Sequence, residues 1–191
     1  RRNLELVSTL RENKVQGSLL WALDRTVTSA GGRLLRNWLE QPLRNREAIV
    51  ARLEKVESFY RQHQLRRETR ALLRQTCDLA RLLAKLACGT VNPRELLTLG
   101  RTLALLPTLR ELLIKEEMGP VAELAAAIDP LTDLAELLTS ALREEVPGLL
   151  AEGKIFREGY NPELDALIRA TREGKAWIAR LEQQERERTG I

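Results

Sequence analysis

Arg66, Arg67, Arg70 and Arg74 fall within nine residues of a helix-forming stretch. The 66/70/74 spacing puts three guanidiniums on one helix face, an arrangement that can follow a phosphate backbone. A solvated face answering Glu68 and the acidic second half of the chain is the preferred account of the pattern. No aromatic residue interleaves with these arginines, so stacking on single-stranded bases is not indicated.

Other chemistry finds less support. Cysteine or serine nucleophiles would all have to share His63, the one histidine, which lies in the charged run YRQHQLRR and reads as a surface or helix-end residue. Cys77 and Cys88 sit in Leu/Ala-rich helical sequence and are expected to be reduced, buried thiols. With His63 fourteen positions before Cys77, the spacing argues against a metal site. The nearest approach to a phosphate-binding loop is Gly174-Lys175-Ala176. It has Arg169 where the first glycine belongs and alanine where the hydroxyl belongs. The acidic pairs Glu116-Glu117 and Glu144-Glu145 fall at predicted helix ends or loops and read as solvated charge. No catalytic, cofactor-binding or metal residue is assigned, and the chain by itself is not expected to be an enzyme.

The elements that carry these residues follow from composition. The 191 residues are 43% apolar, 30% charged and only 4% aromatic, and leucine dominates the apolar fraction. That profile favours helix, because strands draw on β-branched and aromatic side chains. No apolar run reaches the roughly 18 residues that span a bilayer. Residues 1–110 hold 21 basic against 10 acidic residues and residues 111–191 hold 10 against 17, so the halves carry +11 and −7. The basic half is compatible with nucleic acid or an acidic partner surface.

Helix signals recur along the chain. Ser18 precedes LLWALD, and Ser29 precedes AGGRLLRNWLEQ, where Leu34, Leu35, Trp38 and Leu39 form one expected buried stripe. Asn45 is placed to cap a helix bearing Ile49, Leu53, Val56 and Tyr60. A basic helix spans about 64–75. Asp78 opens the next, with Gly89 at its C-terminal cap. Asn92-Pro93-Arg94-Glu95 is the clearest start, since asparagine caps, proline fits the first helical position and glutamate reaches back. Restarts at Pro107, Pro120 and Asp129-Pro130 make residues 92–142 a compact four-helix bundle. Residues 143–161 break the pattern and read as an irregular crossing, with a minor short strand pair near 149–157.

The predicted fold is therefore all-α: a multi-helix bundle over 1–161 and one long protruding helix over 162–191. Leu164, Leu167, Ile168, Trp177, Ile178 and Leu181 stripe that helix, which implies packing on the body near its start. After Leu181 the stripe ceases. The chain opens on RRNLEL and closes on QQERERTGI, four charges with no apolar residue before Ile191, and both ends read as cut from something longer.

Five segments carry a resemblance: RRNLEL at the start, GSLLWALDRTVTSAGGRLLRNWLEQPL at 17–43, NPREL at 92–96, GYNPELDAL at 159–167 and ERERTGI at 185–191. In order and spacing they resemble the core (lever) domain of the MutS family of bacterial mismatch recognition proteins, over essentially the whole chain. The resemblance implies a mostly helical core in a dimeric ATPase that clamps mismatched double-stranded DNA. It also implies a cytoplasmic, nucleoid-associated bacterial protein with no membrane partner. The family's Phe-x-Glu and Walker A motifs are absent here, so ATP and magnesium would belong to the rest of such a protein. The family's core is left by one helix, which leads to the clamp. By that analogy residues 162–189 are the outgoing lever, Gly159 and Asn161 its pivot, and Leu164, Leu167, Ile168 and Trp177 its packing against the bundle. Arg66, Arg70 and Arg74 remain the candidate backbone contacts. Two other functions compete: a free-standing helical scaffold for protein partners, and a weak basic DNA-binding module.

Overall fold

The computed structural model describes residues 2–114 and 119–189. Among these it holds ten α-helices and no named strand: α1 (Leu19–Leu23), α2 (Ser29–Glu40), α3 (Arg46–Arg61), α4 (His63–Leu73), α5 (Leu79–Ala87), α6 (Pro93–Leu103), α7 (Leu106–Ile114), α8 (Ala122–Ala126), α9 (Thr132–Ala141) and α10 (Pro162–Thr189). The chain is all-α with a long C-terminal helix. The pair Glu116-Glu117 lies outside the described residues.

Local chemistry sets most of the boundaries. Asn92 accepts from the Glu95 N–H at 2.9 Å while the Glu95 carboxylate accepts from the Asn92 N–H at 3.1 Å, closing the capping box of α6. Asn45 and Asp78 cap α3 and α5 by accepting from the N–H three residues on. At the end of α5, Gly89 adopts φ +66°. The Thr90 N–H then reaches the Lys85 carbonyl and the Gly89 N–H the Leu86 carbonyl, so two otherwise orphaned acceptors are filled. One predicted cap is displaced. Thr28, not Ser29, has the extended backbone and accepts from the Gly31 N–H at 3.0 Å. Ser29 begins the helix, and its hydroxyl instead donates to Asp78.

The core runs through α4 to α9. Leu65, Leu109, Leu112, Leu113, Val121 and Ala125 join α4, α7 and α8. Leu82, Leu99, Leu103 and Ala135 join α5, α6 and α9. Leu97, Leu142 and Val146 seal α6 against the chain that follows α9. At Gly100 a Cβ would stand 2.9 Å from the Leu138 Cβ, so this glycine is what lets α6 and α9 approach so closely. Residues 92–142 form the four short-linked helices expected of them. Pro107 sits in the first turn of α7, whereas α8 and α9 begin two residues after Pro120 and Pro130.

Two burial expectations fail. The stripe on α2 is only half-buried at Leu35, Trp38 and Leu39, and Leu34 is exposed. α2 is held at the periphery by polar contacts instead, with the Arg52 guanidinium 3.7 Å above the Trp38 ring and Arg33 paired to Asp78. Cys77 is half-buried and Cys88, at the end of α5, is exposed.

Residues 143–161 cross irregularly, but no strand pair forms at 149–157. The one bridge among the described residues is antiparallel between Leu142 and Phe156, so the late segment pairs with the end of α9. Leu150–Glu152 coils into a 3-10 turn, and Gly153 and Lys154 both take positive φ, 68° and 55°. Two successive residues at positive φ break the extended backbone that a ladder needs.

Candidate functional site

Of the residues singled out at 159–168, Gly159, Asn161 and Leu164 come together at the root of α10. The Asn161 side chain accepts from the N–H groups of Glu163 and Leu164, each at 3.0 Å, filling two orphan donors of the helix. Gly159, at φ +87°, donates its N–H to the Asp165 carboxylate at 2.8 Å. A Cβ at Gly159 would meet nothing within 4 Å, so the glycine is required by its backbone angle and not by crowding. Phe156 and Tyr160 stack with ring planes 6° apart and centroids at 5.9 Å.

This root is bonded to the bundle by residues that sequence reading passed over. The Arg157 backbone N–H donates to the Ala141 carbonyl at 2.8 Å, and its side-chain Nε donates to the Leu142 carbonyl at 2.7 Å. Arg94 and Arg101, both on α6, donate to the carbonyls of Val146 and Glu144. No spacing rule marks these three arginines, because each contact joins residues 15 or more positions apart.

The shaft of α10 departs from expectation. Leu164 is half-buried, but Leu167, Ile168 and Trp177 are exposed, at 67%, 52% and 60%, and no residue of the helix is buried. Within the described residues the stripe is therefore solvent-facing, and the helix is held at its base and not along its side. Its 28 residues project over ~42 Å at 1.5 Å per residue.

On α4 the three spaced arginines behave differently from one another. Arg66 donates to the carbonyls of Phe59 and Tyr60, both at 3.1 Å, and its other nitrogen lies 2.7 Å from His63 Nδ1. It thereby satisfies acceptors in the last turn of α3. Arg70 donates to the Arg25 carbonyl at 2.8 Å, tying α4 to the turn between α1 and α2. Arg74 is exposed at the end of α4. His63 is exposed on the first turn of the same helix, and Glu144 and Glu145 are exposed in the crossing segment.

Three carboxylates are tuned by their bonds. The Arg33 guanidinium, gripping Asp78 through both nitrogens at 2.6 and 2.8 Å, holds that carboxyl well below its usual range. Glu95 is lowered first by Lys85 and then by the Asn92 N–H, and Asp24 by the Thr26 N–H and hydroxyl. All three bonds lie between or at the ends of helices, so this chemistry serves the frame and builds no acid–base centre. No group of three or more metal-ligating side chains gathers among the described residues, and none of their helices is long and apolar enough to cross a membrane.

Comparison with known proteins gives one consistent relationship. A family model described as MutS domain III matches residues 1–189. The DNA mismatch repair protein MutS of Alkaliphilus oremlandii is 47% identical over 191 residues, covering 100% of this chain and 22% of the relative. The MutS proteins of Acetivibrio thermocellus and Halalkalibacterium halodurans are 45% and 47% identical, again covering 100% of the chain and 22% of each relative. The chain thus spans about a fifth of the length of these relatives.

Proposed function

The chain belongs to the MutS domain III family, and from that premise we propose that it is the structural and coupling core of a MutS-like mismatch repair protein. In this reading the bundle of residues 1–161 joins an ATPase to a DNA clamp, and α10 is the outgoing lever. The observation that supports it is the form of α10: 28 helical residues, fixed at the root and burying none of their side chains. A small rotation at the base of such a helix becomes a large displacement at its tip. The whole protein would be a homodimeric, ATP- and magnesium-dependent binder of mismatched double-stranded DNA in the bacterial cytoplasm. The relatives are named as mismatch repair proteins, and they extend well beyond the fifth of their length that this chain covers, which leaves room for nucleotide and DNA sites elsewhere.

The lever reading is tested at its pivot. Gly159 stands at φ +87°, which proline cannot adopt. Gly159→Pro in a full-length protein carrying this chain is expected to impair ATP-dependent release from DNA while leaving nucleotide binding intact. Unchanged release would end the proposal.

A protein-interaction scaffold is the second reading, favoured by the exposed Leu53, Val56 and Tyr60 of α3 and the exposed stripe of α10. It predicts partner capture by the isolated chain. Direct DNA binding by α4 gains less, because Arg66 and Arg70 already bond main-chain carbonyls. If α4 does track a duplex, Arg66→Ala, Arg70→Ala and Arg74→Ala should each lower the salt slope of duplex binding by about one phosphate contact.

A further inference from the structure

We infer that Arg157 is the positioning residue that sets the direction of α10, by bonding the root of that helix into the open end of α9. The inference rests on the lever reading for its consequence but not for its geometry. An α-helix ends in carbonyls with no partner inside the helix, and a cation placed there satisfies both the lone pairs and the dipole. α9 ends at Ala141 with Leu142 as its cap residue. Arg157 fills the two successive carbonyls of 141 and 142, one with its main-chain N–H and the other with its Nε. The Arg143 N–H returns a bond to the Ile155 carbonyl at 3.0 Å, so the two segments are tied from both sides.

The acceptor end is rigid. Ala141 and Leu142 are buried, and Leu142 packs with Leu97 of α6 and Val146 in a core cluster that Ile155 flanks. α6 and α9 approach closely at Gly100. The donor end is short: only four residues separate Arg157 from Pro162, where α10 begins. Within those four residues the Tyr160 N–H bonds the Arg157 carbonyl, the Gly159 N–H bonds Asp165, and Asn161 caps the helix. Hydrogen bonds at Arg157, Gly159, Tyr160 and Asn161 therefore link the α9 terminus to the first turn of α10. Among the described residues no side chain of α10 is buried and only Leu164 and Asp165, in its first turn, are half-buried, so the shaft beyond that turn adds no buried contact to this constraint. A change of about 10° at the root would move the tip by about 7 Å over the ~42 Å helix.

The test uses a full-length protein carrying this chain, with spin labels at Gln184 near the tip of α10 and Glu111 on α7, introduced by cysteine-independent chemistry. Three variants are compared with the parent: Arg157→Ala, Arg157→Lys, and Arg169→Ala on the exposed shaft as a control. The distance distribution between labels, the melting temperature and ATP-dependent release from mismatched DNA are measured on each. Arg157→Ala is expected to broaden the distribution about twofold, because the main-chain bond remains but the guanidinium no longer fixes the angle. Arg157→Lys, which keeps the charge without the fixed fork, is expected to fall between. Arg169→Ala should match the parent. Should Arg157→Ala prove too unstable to study, Arg157→Lys alone decides, since it must still broaden the distribution. Broadening with altered release supports both the anchor and the lever reading. Broadening with parental release upholds the anchor and overturns the coupling role. A parental distribution in both Arg157 variants overturns the anchor, whatever release does.

Discussion

Thr102 joins two stretches of chain that the helices alone would leave free. Its hydroxyl oxygen accepts from the Cys77 backbone N–H at 3.1 Å and its proton goes to the Thr98 carbonyl at 2.9 Å. The acceptor is 1% exposed, while Cys77 itself is half-buried, so the bond sits at the edge of the core. Thr102→Val preserves the shape and deletes the acceptor. We expect it to cost about 1 kcal/mol, read from chemical denaturation, because the half-buried Cys77 N–H loses its acceptor. Thr102→Ser keeps the hydroxyl and should cost less. Equal losses in the two variants would show that packing, and not the bond, is what matters there.

Two glycines on helices should respond to alanine with opposite signs. At Gly100 the new Cβ meets the Leu138 Cβ at 2.9 Å, side chain against side chain in the tight α6–α9 crossing. Alanine gains about 1 kcal/mol of helix propensity but forces the helices apart. A net loss of about 1–3 kcal/mol is expected. Gly174, midway along α10, has nothing within 4 Å. Gly174→Ala should therefore keep the full propensity gain of about 1 kcal/mol, measurable as increased helicity on heating.

Acid should dissolve one specific tie. Asp78 is held below its ordinary range mainly by the Arg33 guanidinium. A carboxyl with a lowered folded pKa adds stability that is complete above its unfolded value, near 4, and is lost as pH falls toward the folded value. Asp78→Asn keeps the N-cap of α5 and removes the charge. Its melting temperature should lie below the parent's at neutral pH, and the gap should narrow below about pH 4. A gap independent of pH would assign the loss to something other than the Arg33–Asp78 pair.

What could be read in advance divides along the range of the contact. The Asn92–Glu95 box, the Asp78 cap and the turn at Gly89 are each closed within five residues, so residue types alone carried them. The Thr28/Ser29 displacement shows the limit of that logic, since both hydroxyls suit the cap and a distant residue, Asp78, claims one of them. Gly159 and Asn161 were singled out only by analogy with the family, and the structure shows a positive-φ turn residue and an N-cap there. Arg157, Arg94 and Arg101 were not, because a guanidinium reaching a carbonyl across the fold leaves no periodic trace. The apolar stripe of α10 misled in the other direction. Periodicity identifies a face that seeks a partner, but it does not say that the partner lies in the same chain.

That stripe gives the last prediction. Ile168 and Trp177 stand 52% and 60% exposed on α10. In the 191-residue chain, Ile168→Asp and Trp177→Ala remove no buried contact and should change stability by no more than about 0.5 kcal/mol. If α10 is a lever built into a larger protein, the same face meets another segment there, and the same substitutions become core changes. In a full-length protein carrying this chain they should then cost about 2–5 kcal/mol and shift ATP-dependent release from DNA. Denaturation of each variant in both contexts measures the difference directly. Neutral behaviour in both would leave the stripe as a solvated surface and remove one support of the lever reading. A large loss already in the short chain would mean that α10 folds back onto the bundle in solution.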